Sequence, residues 1–127
     1  MTEKRAFKTK NFNKWMRKTD LKDQDLLVAV AEMEAGLVGV DLGGNVFKKR
    51  IALPGAGKRA GARTLVASKS SKKWFFLYGF AKNEKDNIND DELVHLQGAA
   101  NRLMNLTDQD IEKVILIGEL KELTNNA

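Results

Sequence analysis

The chain has 127 residues, no cysteine, 43% hydrophobic and 31% charged side chains, and a net charge of +5. These values suit one soluble globular domain with its own core and exclude a disulfide scaffold, Cys-based zinc sites and thiol catalysis. The longest strictly apolar run, Leu26 to Ala31, is far too short to cross a bilayer, and the basic N-terminus lacks the apolar core and cleavage site of a secretory signal. The expectation is a single cytoplasmic domain over residues 1–127, with 1–10 and 124–127 flexible and no cofactor or metal required.

In chain order, Phe12, Trp15 and Met16 recur at helical spacing and predict a short amphipathic helix over Asn11 to Lys18. That spacing favours a core position for Trp15 over a base-stacking platform. Thr19 or Asp20 is the expected N-cap of a second helix. Asp20 and Asp23 suit its first turn, Leu26, Leu27, Val30, Ala31 and Met33 form its apolar stripe, and Gly36 ends it. The two helices are expected to form a hairpin that covers a sheet.

From Leu37 the pattern becomes short strands punctuated by glycine. Leu37 to Leu42 reads as a strand or extended connector, and Gly43-Gly44-Asn45 reads as a turn into a strand from Val46 to Leu53. There Phe47, Ile51 and Leu53 share one face while Lys48 and Arg50 point the other way. Lys49 falls on the apolar face and is expected to snorkel at an edge. Pro54 to Ala62 reads as a glycine-rich loop carrying Lys58 and Arg59, Arg63 to Lys69 as the next strand, and Ser70 to Lys73 as a hairpin turn. Trp74 to Ala81 is almost wholly apolar, which marks a central strand covered on both faces.

Lys82 to Asn89 leaves the sheet. Asn89 or Asp90 caps a helix with Leu93, Leu96, Ala100, Leu103 and Met104 on one side, and Thr107 with Asp110 makes a capping box for a last helix through Ile111, Val114 and Ile115. Gly118 stops it, and Glu119 to Leu123 offers a short edge strand. The fold class expected is α+β, an N-terminal helical hairpin packed on a small antiparallel sheet with C-terminal helices.

Charge is segregated along this order. Leu42 to Asn83 holds ten Lys or Arg and no Asp or Glu, whereas residues 84–127 hold four basic and ten acidic groups. A solvated surface normally mixes signs, so a one-sign block points to a polyanion, nucleic acid first. Gly57-Lys58 is not a nucleotide-triphosphate cradle, because position 52 is Ala and position 59 is Arg. His95 is the sole histidine and reads as a partly exposed structural residue, so a histidine pair for acid-base work is absent.

Lysine and arginine supply what remains. Cleavage of RNA by its own 2'-hydroxyl needs a held geometry, a proton acceptor, a proton donor and cations around the phosphorane. Lysine crowded by cations can exchange a proton, and arginine clamps phosphate bidentately. Lys48, Arg50, Arg63 and Lys82 are the candidate catalytic residues. Lys49, Lys58 and Arg59 are the candidate RNA-binding residues, and the choice of general base stays open among the lysines.

The run KKRIALPGAGKRAGARTLVA followed by WFFLYGFAKNEKDNI resembles toxins of the RelE/ParE superfamily of type II toxin-antitoxin systems, in particular a RelE-like subgroup. The resemblance covers about Leu42 to Leu96. It implies a microbial-ribonuclease-like fold, ribosome-dependent cleavage of mRNA without metal, and an antitoxin partner, expected to be a helix-turn-helix protein. By it Lys48 and Arg50 match base and phosphate contacts, Arg63 the arginine at the transition state, and Lys82 with Lys85 the basic cluster ending the last long strand. The tyrosine expected in the following segment is replaced by Asp86-Asn87-Ile88-Asn89, while Tyr78 and Phe80 lie upstream; Phe80 and Lys85 join the candidate RNA-binding residues. Two rivals remain, a ParE-like inhibitor that binds DNA gyrase and a plain RNA-binding module.

Overall fold

The computed structural model describes residues 5–53, 57–69, 72–81 and 87–124, and for residues 53 and 57–60 it describes the backbone alone. Six strands form one sheet in the order β2-β3-β4-β5-β1-β6. The elements run β1 (Arg5–Thr9), α1 (Lys10–Met16), α2 (Asp23–Glu34), β2 (Val40–Asp41), β3 (Val46–Leu53), β4 (Gly57–Ala67), β5 (Lys73–Ala81), α3 (Asp90–Met104), α4 (Asp108–Leu116) and β6 (Leu120–Glu122). Helices lie on both faces, so the domain has three layers and two apolar clusters.

β5 explains why both faces must be covered. Trp74 and Phe76 join Phe12, Met16, Leu26 and Val30 on the α1 and α2 side, while Phe75, Leu77 and Phe80 join Leu96, Ala100 and Ile111 on the α3 and α4 side. As expected from its continuous apolarity, β5 lies inside the sheet, between β4 and β1. Phe7 stacks on Phe75 with centroids 5.0 Å apart. Trp15 is partly buried and lies over Gly79, where an added Cβ would come within 2.4 Å of its ring. Its place is therefore the core side of the sheet, as its spacing predicts.

Three expectations are corrected. The chain starts in the sheet rather than in a helical hairpin: β1 inserts between β5, to which it is parallel, and β6. The sheet is thus mixed, and residues 5–9 are ordered rather than frayed. Local reading missed β1 because its two cations are neutralised from afar. Arg5 meets Glu122 at 2.8 Å and Glu112 at 2.9 Å, and the nearly buried Lys8 meets Asp23 at 2.7 Å.

Second, α2 starts at Asp23 with Lys22 at its N-cap position, not at Thr19 or Asp20. The Asp25 carboxylate accepts from the Lys22 N–H at 2.8 Å, while the Thr19 hydroxyl turns back to the Met16 carbonyl and accepts from the Leu21 N–H. α1 packs chiefly on β5 and α2 on β3, each docking separately.

Third, β4 begins at Gly57, inside the stretch expected to be a loop. Backbone pairing of Ile51 with Ala62 and Leu53 with Gly57 continues the hairpin through Gly57 to Ala62, where glycine and alanine leave no apolar alternation to mark a strand.

The remaining ends follow the sequence closely. Asn89 and Glu92 cap α3 reciprocally at 2.8 and 2.9 Å, and Thr107 and Asp110 cap α4 at 3.1 Å each. Gly44 and Asn45 both take positive φ in the turn before β3, and β6 forms the short edge strand. No helix among the described residues is long and apolar enough to cross a membrane.

Candidate functional site

Alternation along β3 sorts its three consecutive cations onto two faces. Val46 faces α3, so Lys48 and Arg50 do as well, whereas Lys49 and Ile51 face α2. Lys49 is 8% exposed and its Nζ lies 2.9 Å from the Glu32 carboxylate on α2. It therefore does not snorkel to solvent, and it does not join the other candidates.

Strand pairing brings Lys48, Arg50 and Arg63 together. Arg50 lies directly opposite Arg63, which lies opposite Phe80, and Lys48 lies opposite Leu65, which lies opposite Tyr78. Leu65 and Ala67 belong to the α3-side cluster, so Arg63, in phase with them, shares that face with Lys48 and Arg50. Arg50 is exposed, Lys48 half-buried and Arg63 nearly buried, its Nη1 donating to the Gly61 carbonyl at 3.4 Å. Among the described residues none of the three has a carboxylate partner.

Like charges directly across a ladder destabilise a sheet, and cross-strand Cβ atoms sit only about 5 Å apart. An arginine pair in that position concentrates positive potential where planar, bidentate donors meet an oxyanion. The row suits a phosphate, with one guanidinium held by its surroundings and one free to reorient.

Phe80 is 3% exposed, packed in the α3-side cluster, so its ring presents no open face for a base. Of the two aromatics upstream of the missing tyrosine, the more accessible is Tyr78 rather than Phe80. The register from Leu65–Tyr78 to Val66–Phe76 skips Leu77, a bulge that puts Tyr78 and Phe80 on the opposite side from Phe76; the Tyr78 and Phe80 ring centroids are 6.1 Å apart. Tyr78 is half-buried and lines a cleft with Thr9, Asn11, Asp91, Glu92 and His95. His95 is exposed on this cleft. No sequence signal announced the bulge, because every residue around it is apolar or small.

Lys82 and Lys85 lie outside the described residues, and Lys58 and Arg59 belong to β4 by their backbone alone. Among the described residues no group of three His, Cys, Asp or Glu side chains is arranged to hold a metal ion.

Comparison with known proteins adds one finding. A family model, described as the RelE toxin of the RelE / RelB toxin-antitoxin system, matches residues 4–123. No match to the chain was found among curated proteins.

Proposed function

The chain belongs to the RelE toxin family, a toxin of a toxin-antitoxin pair, and from that premise we propose that it inhibits translation by cleaving mRNA on the ribosome without a metal. The observation that carries this reading is the cation row Lys48, Arg50 and Arg63, gathered on one face and left without acid partners among the described residues. Its partner is an antitoxin, and an acidic segment of that protein covers the row in the inactive pair.

In this mechanism Arg63 and Arg50 hold the non-bridging oxygens of the scissile phosphate and stabilise the charge that grows there. The 2'-hydroxyl of the preceding ribose attacks phosphorus as a base takes its proton. The bond from phosphorus to the 5'-oxygen breaks as an acid returns a proton to the leaving oxygen. A 2',3'-cyclic phosphate and a 5'-hydroxyl result. Lys48 and Lys82 are assigned the proton transfers, and Tyr78 replaces Phe80 as the aromatic beside the substrate.

The test is purified protein added to intact ribosomes programmed with a defined message. Cuts at a fixed position within the A-site codon are expected. Arrested translation with intact message would remove the nuclease reading, and inhibition of gyrase supercoiling in the same preparation would establish the ParE-like alternative instead.

A further inference from the structure

A second set of unneutralised cations lies at the other edge of the sheet. Lys10, Lys14 and Arg17 recur along one face of α1, and with Lys121 of β6 they line a groove of about 600 Å3 that contains no carboxylate. All four are exposed, and among the described residues none forms an ion pair. Glu119, two residues before Lys121, meets Lys10 through its backbone carbonyl, which accepts from the Lys10 N–H at 3.0 Å. Four cations on two rigid elements, left unpaired in a chain with 17 acids, form a charged surface with no internal use.

We propose that this groove is a second RNA-binding site, which takes the phosphate backbone of structured RNA while the Lys48, Arg50 and Arg63 face takes the strand to be cut. Lys10 to Arg17 spans about 10 Å of helix, so a run of phosphates fits it better than a single anion. Adjacent strands lie about 4.8 Å apart, which puts β6 roughly 14 Å from β4 and roughly 19 Å from β3 across the sheet. The two sites are therefore too distant to share one phosphate and are suited to two segments of a large RNA. RNA is favoured over a protein partner because the apolar lining, Ile115 and Leu120, is half-buried or buried and offers no pocket for an anchoring side chain. The exposed Leu116 and Ile117 are outside the lining.

The choice of polyanion rests on the proposed RNA-cleaving function, so binding and cleavage are measured apart. Full-length wild type and the triple variant K10E/K14E/R17E are titrated onto vacant ribosomes across a salt series, and then onto programmed ribosomes for cleavage. Each lost phosphate contact lowers the slope of log affinity against log salt by about 0.9. The triple variant is expected to lose about 2 to 3 units of slope and at least about tenfold in affinity near 0.1 M salt. On programmed ribosomes its KM should rise while kcat holds. K121E, from a different element, should lose about one unit and guards against a folding artefact. Unchanged affinity and slope in both variants overturn the proposal. If neither wild type nor variant cuts RNA yet the slopes still fall, the groove stands and the nuclease reading alone is lost.

Discussion

Lys49 is 8% exposed and held 2.9 Å from Glu32, whereas Arg50, one residue on, stands on the opposite face in solvent with no acid partner among the described residues. The same contrast recurs between the cations that bind elements together and those of the candidate site. On the β1 and β6 side, Arg5 meets Glu112 and Glu122, Lys73 meets Asp108 at 2.9 Å, and Lys8 meets Asp23. On the α3-facing side of β3 and β4, Lys48, Arg50 and Arg63 have no acid partner among the described residues. Acids are plentiful in this chain, so the lack of an acid partner for these three among the described residues is a property of the fold and not of composition. Cations that hold elements together are neutralised internally; those facing a ligand are left for the ligand to neutralise.

The sharpest way to break that division is to neutralise the unpaired set. Removing one preorganised charge donor at a transition state costs about a hundred- to a thousandfold in rate. Arg50→Ala and Arg63→Ala should therefore both abolish growth inhibition on expression in cells while folded protein accumulates normally. Full toxicity from both would detach the cation row from function.

Severing the paired set should do the reverse. Asp23→Asn leaves the nearly buried Lys8 ammonium without its counter-charge. A fully buried pair broken this way costs roughly 3–5 kcal/mol, and the partial exposure of Asp23 brings the expected loss to about 2 kcal/mol, read by denaturant unfolding. Glu32→Gln is milder, about 1 kcal/mol, because Glu32 is half-exposed and the amide still accepts a hydrogen bond from Lys49. Neither substitution should change the rate of cleavage per folded molecule.

The smallest effect is a pH dependence at the Arg5 cluster. Hydrogen bonding to Arg5 holds the Glu122 carboxyl below its ordinary range, and Lys73 does the same for Asp108. A depressed carboxylate stabilises the fold fully above its unfolded pKa, near 4, and that contribution disappears as the pH falls through the lower folded value. Arg5→Gln should lower the unfolding midpoint slightly at neutral pH. The gap from wild type should narrow below about pH 4. A gap that stays constant with pH would remove the electrostatic account of β1 anchoring.

Much of the architecture was legible in the sequence, for identifiable reasons. The cap at Asn89, the capping pair Thr107–Asp110 and the apolar run of β5 are local signals, and each lies where reading along the chain puts it. β1 was not legible, since its partners Glu112 and Glu122 are more than a hundred residues away. The early start of β4 was hidden by glycine and alanine, which pair through the backbone without a side-chain pattern.

At the candidate site, the period of two correctly placed Lys48 and Arg50 on one strand face and Lys49 on the other. The direct opposition of Arg50 and Arg63 depends on register, which no local pattern specified. The same holds for Tyr78, whose direction is set by one skipped residue in the β4–β5 pairing.

The most direct test of the central claim is the single-turnover rate of message cleavage on programmed ribosomes by Arg63→Ala, measured beside its thermal unfolding midpoint. The account predicts a rate lower by about a hundredfold or more, with the midpoint close to wild type. Undiminished cleavage, or a loss of rate that only follows a loss of folded protein, would contradict it.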